Sequence, residues 1–460
     1  MPAPLTRDYA AFAHRMGRGG LMPAAALEVV RLGFTDCAGV LLAGVNADVV
    51  VRLRAFARGQ GGAPVARALL GAARVSPAQA ALLNSTAAHA HDFDDFAFSN
   101  HPSAVLVPAI LAAAEAAERA GRRADGTVMA SAYVTGYEVW ADLMRREPDH
   151  LYAKGWHPTA VFGPIGAAAA AAVVLGLDER RTMHAIAIAC SLAGGVFENF
   201  GTMAKPMHGG HAAEAGLTAA AMAAEGIEAS PSAVEGRHGL LRAISPAGRT
   251  ELDRPTQLGV SWHILKERLN IKKYPTVGAS QRSIDAVLAL RAARRIDLGR
   301  IVKITPRVSV KHLDVMPFGK PQNALEAKFS LPFAVACALT HGAVGLAEVA
   351  DDVVRAPTMQ ALMAKVEPQT TTDFAPDWPN AAPFDVVKIH LDDGSVITSP
   401  EIRRATGHGD TPLSGAEIRA KFDACAAYAG IAAGEASAVF AAMQRIDALS
   451  GPHEIPSVTL

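Results

Sequence analysis

From the N-terminus to about Gly259, apolar residues recur at three- and four-residue spacings or their multiples, the period of amphipathic helices. Leu27, Val30, Phe34 and Leu41 show the pattern, and Pro23 before them suits a first helical turn, where no amide hydrogen bond is lost. Segments 80–91, 105–120, 128–145, 166–177, 182–193 and 212–225 read the same way, separated by Gly, Pro and His-rich connections. The texture changes after Asn270. Val302, Ile304, Val308 and Val310 alternate as on one face of a strand, and 384–398 is a second β-rich run with a turn at Asp392, Asp393 and Gly394. Pro306 predicts an edge or a bulge for the first strand. Helical patterns at 283–294, 327–339 and 359–365 lie around these runs. Helix then returns, with Ser414 and Glu417 spaced as a capping box ahead of Ile418, Phe422 and Cys425. The expectation is a mainly α protein with a smaller α+β domain. Residues 1–268 form a helical domain, 269–404 an α+β lid, and 405–460 are helices that complete the helical domain.

Composition narrows the function classes. Half of the 460 residues are hydrophobic, enough for a large core and too many for intrinsic disorder. With 44 basic and 44 acidic residues there is no diffuse basic field, so a nucleic-acid partner is not expected and an anionic ligand must be held by local charge. Cys37, Cys190, Cys337 and Cys425 are far apart and form no CxxC pair, which argues against a zinc knuckle or disulfide framework and for a reducing, cytoplasmic setting. Residues 1–18 lack the layout of a signal peptide. The uncharged run 160–177 is mostly Ala and Gly, is interrupted by Pro164, and reads as a buried helix; no membrane partner is expected. Long Ala-rich helices with few charges leave apolar surface that favours self-association.

Four polar islands interrupt this apolar sequence, and such interruptions are where a fold gives up local stability for a site. The first is His89-Ala-His91-Asp92-Phe93-Asp94-Asp95 followed by His101-Pro102-Ser103. It reads as a site, as an N-capping loop, or as metal ligands; His-x-His with aspartates occurs in metal-dependent hydrolases, but there it ends a strand, whereas here it follows a helical run. The second, Lys154-Gly155-Trp156-His157-Pro158-Thr159, places His157 at the mouth of a nearly pure apolar helix, where proton transfer is plausible. In the third, Met203-Ala204-Lys205-Pro206-Met207-His208-Gly209-Gly210-His211, free amides of the Gly-Gly stretch, a helix N-terminus and Lys205 predict a carboxylate pocket, with a flexible glycine turn as the alternative. The fourth, Ile271-Lys272-Lys273-Tyr274-Pro275, puts cations at a domain boundary, where ligands often bind.

In this order, the motifs resemble the MmgE/PrpD family, which includes 2-methylcitrate dehydratases, cis-aconitate decarboxylases and iminodisuccinate epimerases. Glu326-Ala327-Lys328-Phe329-Ser330 and Pro412-Leu413-Ser414 extend the match over nearly the whole chain. The resemblance implies a helical domain built from both chain ends, an α+β lid, a homodimer, no cofactor, and a small polycarboxylate as substrate. It carries active-site roles to Asp92, His101, His157, Lys205 and Lys272. Where decarboxylases have a threonine this chain has Phe96, the loop to His101 is one residue shorter, a lid histidine is Val277, and the lid tyrosine aligns near Val315 or Met316. Gln281 resembles the dehydratase version of its segment. The expected activity is therefore a 2-methylcitrate-dehydratase-like dehydration, with decarboxylation or epimerisation as alternatives.

All three chemistries move a proton at a carbon beside a carboxylate, which needs a base or acid at the carbon and cations at the carboxylate. The expectation assigns the carbon-bound proton to His157, carboxylate binding to Lys205, Lys272 and His101, and orientation or charging of a histidine to Asp92. His101 or His208 protonates a leaving hydroxyl, and Tyr274 and Gln281 join the substrate-binding set. Readings in other classes are a metal-dependent hydrolase using His89, His91 and Asp94 or Asp95, and a silent polycarboxylate-binding protein.

Overall fold

Helices fill the first half of the chain, in the order α1 (Leu5–Gly17), α2 (Ala24–Gly44), α3 (Asp48–Gln60), α4 (Pro77–His89), α5 (Pro102–Arg119), α6 (Gly126–Arg146), α7 (Pro158–Val174), α8 (Glu179–Ser191) and α9 (Ala204–Ala224). The computed structural model describes residues 2–149, 151–245, 248–378 and 380–460. Local chemistry sets the helix ends. Ser76 and Gln79 form a capping box at the start of α4, Asp125 and Asp178 accept amide hydrogen bonds ahead of α6 and α8, and Pro102 and Pro158 occupy first-turn positions of α5 and α7. Helix α7 is buried along its whole length and packs between α6 and α9. The helices Gly415–Tyr428 and Ala433–Gln444 lie against α2, where Ile418, Phe422, Cys425, Val439 and Met443 share its core. Ser414 and Glu417 form the capping box that opens the first of them.

Small residues make the helix contacts close. A Cβ on Gly210 would lie 2.7 Å from the Leu82 carbonyl oxygen and would overlap the Thr86 hydroxyl, so α9 rests directly on α4. Main chain cannot yield as a side chain can, and overpacking of this kind costs about 1–3 kcal/mol. Gly210→Ala is therefore expected to lower the melting temperature by about 1–3 °C in calorimetry, a loss that a distant Gly→Ala exchange in an exposed helix would not give. The same residue corrects a sequence expectation. Gly209 and Gly210 lie inside α9, with their amides in the helix ladder, and do not form a free-amide pocket or a turn.

Two short strands, β1 (Ala66–Arg67) and β2 (Arg74–Val75), pair antiparallel in the helical part of the chain. The second unit is built on β3 (Ile301–Ser309), β4 (Gln369–Thr371), β5 (Val386–Leu391) and β6 (Val396–Thr398), in spatial order β4-β3-β5-β6. The helices Gln281–Ala293 and Leu331–His341 cover it through Ile284, Val287, Phe333 and Cys337, and Ile304, Val308, Val387 and Ile389 complete this separate core. The fold is mainly α with a smaller α+β unit. Two strand expectations change. β3 is interior, not an edge: the Ile304 amide donates to the Lys365 carbonyl, so the amide that Pro306 lacks falls on the β4 side, where pairing begins only at Arg307. A register shift between Ile301 and Lys303 turns Val302 outward, 55% exposed, and Val310 starts a short helix instead of extending the strand. Among the described residues no single helix is long and apolar enough to cross a membrane, although α2 and α3 qualify together as a pair bent by 85°.

Candidate active site

The α4–α5 connection, residues 90–101, enters the region where α9 and the junction to the α+β unit converge. Phe96 and Asn270 exchange backbone hydrogen bonds of 3.0 and 2.9 Å, which draws the 270–272 segment alongside this loop. Asp92 adopts φ 50°, a left-handed conformation that Asp tolerates better than most residues. Its side chain is buried and accepts from Lys205 Nζ and, at 2.7 Å, from Lys272 Nζ. Lys272 also donates to the Asp92 carbonyl at 2.7 Å. Burial pushes the Asp92 carboxyl upward, but the two ammonium groups outweigh it and hold the group below the ordinary carboxylate range. Burial lowers the Lys205 pKa, and Asp92 opposes that shift. The Lys205 ammonium also lies 5.5 and 5.3 Å from the ring centres of Phe200 and Phe329. The result is a buried floor with two cations sharing one carboxylate.

Beside this floor, Asp94 orients two histidines. His89 Nδ1 lies 3.0 and 2.9 Å from the two Asp94 oxygens, and His101 Nδ1 lies 2.9 Å from one of them and 3.0 Å from the Asp95 carbonyl. With acceptors on both sides, the His101 Nδ1 carries the proton, which leaves the Nε2 lone pair free. Burial lowers the His101 pKa, partly opposed by Asp94, and brings that of His89 down to about 3. His157 stands behind, its ring centre 6.4 Å from that of His101, and its Nδ1 is 3.1 Å from His208 Nδ1. Burial, reinforced by Lys205, lowers the pKa of both His157 and His208, the latter to about 4. The remaining acid of the first island, Asp95, faces the start of α5, where Ser103 donates to it through both its amide and its hydroxyl. Burial and neighbouring Asp36 push its carboxyl upward.

A cavity of about 640 Å³ opens over this arrangement, reaching Asp92, His101, Lys205 and Lys272. Phe96, Phe98, Phe200, Phe329, Val277 and Val315 line its flanks. His157, His208, Tyr274 and Gln281 are not among its described lining residues. Tyr274 donates to Asp285 at 2.6 Å, and Gln281 ties its own turn together through Tyr274 and Thr276. His89, His91 and the two acids do not form one ligand set: His91 points to the Ala43 carbonyl and the Tyr428 ring. The ring nitrogens of His89, His101 and His157 do lie within 4.8 Å of one another, as do ligand atoms of His89, Asp92 and Asp94, but the Asp92 carboxylate is already taken up by Lys205 and Lys272. Sequence reasoning gave Asp94 and His89 only to a metal and gave no role to Lys328, whose Nζ donates to the Ala90 carbonyl at 2.9 Å. The available signal was the Glu326-Ala327-Lys328-Phe329-Ser330 motif, which places this lysine just ahead of the helix Leu331–His341.

A family model described as MmgE/PrpD N-terminal domain matches residues 7–253, and its C-terminal counterpart matches residues 274–445. The chain belongs to the MmgE/PrpD family. Among its relatives, the cis-aconitate decarboxylase of Homo sapiens is 29% identical over 365 residues, 76% of this chain and 73% of the human protein. That of Mus musculus is 29% identical over 362 residues, 76% and 72% of the two chains. That of Aspergillus terreus (strain NIH 2624 / FGSC A1156) is 27% identical over 345 residues, 71% and 70%. Within the MmgE/PrpD family these relatives make the protein an enzyme of the lyase class. Of the positions at which the sequence reading set this chain apart from the decarboxylase pattern, Phe96, Val277 and Val315 border the cavity and Gln281 and Met316 do not.

Proposed function

We propose that the protein is a decarboxylase of a small unsaturated tricarboxylate of the cis-aconitate type. One observation carries the reading: two buried lysines, an oriented histidine and the apolar side chains of Phe96, Val277 and Val315 line the same cavity. Lys205 and Lys272 hold carboxylates that stay on the product. The carboxylate to be lost rests against Phe96, Val277 and Val315, where poor solvation destabilises its charge and the neutral carbon dioxide leaves easily. As the carbon–carbon bond to that carboxylate breaks, its electron pair forms a new double bond. The pair of the old double bond takes a proton from Nε2 of the His101 imidazolium, whose Nδ1 proton stays with Asp94, and solvent reprotonates Nε2 of the neutral imidazole. The names of the relatives support the same chemistry. A methylcitrate-type dehydration, the first expectation from sequence, needs instead an acid at a leaving hydroxyl, whereas the relatives named above are decarboxylases.

Proton donation by His101 fixes the sign of the pH dependence. Burial holds its pKa below the ordinary 6.5, so the donating imidazolium becomes more abundant in the free enzyme as pH falls through and below 6.5. kcat/KM for cis-aconitate is expected to rise over that window. A fall over the same window, with the fold intact by circular dichroism, would show that the neutral histidine is the active form and that His101 works as a base.

A further inference from the structure

The loop that carries Asp92 is held by three lysines from three distant parts of the chain. Lys328 Nζ donates to the Ala90 carbonyl at 2.9 Å, Lys272 Nζ to the Asp92 carbonyl at 2.7 Å, and Lys421 Nζ to the Phe93 carbonyl at 2.8 Å. Asp92, between the outer two, has its φ at 50°. An unfavourable backbone conformation persists only when its surroundings over-determine it, and charge-assisted hydrogen bonds to neighbouring carbonyls do so.

The three lysines are not equivalent. Lys421 is matched by Asp36 at 2.6 Å and lies 4.2 Å from the Phe93 ring centre, so its charge is neutralised locally. Lys272 is matched by Asp92 itself. Lys328 is 5% exposed, and its hydrogen bond goes to main chain. It is carried by the α+β unit, and its own carbonyl accepts from the amide of cavity-lining Val277 at 2.9 Å. Burial, opposed by Asp92 and reinforced by Lys205 and Lys272, brings its pKa down to about 8. A buried ammonium without a carboxylate of its own is a poor stabilising element.

We propose that Lys328 is a positioning residue: reaching from the α+β unit to the Ala90 carbonyl, it fixes the loop so that Asp92 holds Lys205 and Lys272 ready for the substrate's carboxylates. Seating of the α+β unit and assembly of the anion floor are then one event. The inference rests on the proposed polycarboxylate site, and its test separates the two. The probe is propane-1,2,3-tricarboxylate, a saturated tricarboxylate that has no double bond to rearrange, with binding measured by calorimetry on the full chain. Lys328→Met keeps the side chain's length and removes the ammonium. The expected result is affinity at least tenfold weaker than wild type, with a melting temperature that is unchanged or higher. Wild-type affinity in Lys328→Met overturns the inference whatever the melting temperature. If the Met variant melts well below wild type, Lys328→Ala titrated with ethylammonium decides: recovered affinity supports the role of the ammonium, and no recovery overturns it. Failure of the wild-type protein to bind any tricarboxylate would instead contradict the polycarboxylate site on which the inference rests.

Discussion

Changing His101 to Ala is expected to lower kcat by ~10²–10⁴-fold, the usual contribution of one general acid. His101 borders the cavity, and its Nδ1 is bound to Asp94 so that Nε2 is the free nitrogen. His157 is 0% exposed and sits one ring further back, so His157→Ala is expected to lower kcat less than His101→Ala does. Sequence alone gave the proton to His157, and the two variants measured side by side decide between the rings. A larger loss in His157→Ala, without a matching loss of stability, would return the proton to that residue. Asp94→Asn should resemble a weaker His101→Ala, since it disturbs the tautomer and orientation of the ring without removing it.

The second large effect belongs to Lys205. Lys205 and Asp92 are both buried, and removing one partner of a buried pair typically costs ~3–5 kcal/mol because a charge is left uncompensated. Lys272 remains beside Asp92, so Lys205→Met should fall toward the lower end, ~3 kcal/mol in chemical denaturation. Its affinity for tricarboxylates should fall as well, since a cation that holds the product carboxylates has gone. The double variant Asp92→Asn/Lys205→Met should recover part of the stability and none of the affinity. Equal losses of stability in the single and double variants would mean that the pair is not coupled as drawn. That comparison is the control that distinguishes a binding cation from a merely structural one.

Much of the fold was legible because helices announce themselves locally. The apolar period and the Ser414–Glu417 capping box are short-range signals, and Pro23, read as a first-turn residue, stands one position earlier as the extended N-cap of α2. The errors came where tertiary packing chose between local options. Gly209 and Gly210 look like a turn in sequence, but both lie inside a helix, and at Gly210 the close approach of α9 to α4 leaves no room for a side chain. Pro306 looks like an edge residue, yet its missing amide falls where the neighbouring strand has not begun to pair. At the site, residue type was readable and partnership was not. Asp92 meets Lys205 across 113 positions and Lys272 across 180, and Lys328 reaches Ala90 across 238. No local pattern encodes such contacts. His89 and His91 illustrate the same limit within one island, since their side chains leave the end of α4 in different directions and only His89 faces Asp94.

Decarboxylation of cis-aconitate in deuterium oxide, followed by carbon NMR together with trapping of the released gas, tests the proposed chemistry most directly. The expected result is one carbon dioxide released per substrate consumed and one solvent-derived deuteron on the product carbon that was part of the old double bond, with both lost together in His101→Ala. Addition of water to cis-aconitate to give a hydroxy acid, with no carbon dioxide trapped, would contradict it and restore the dehydratase reading.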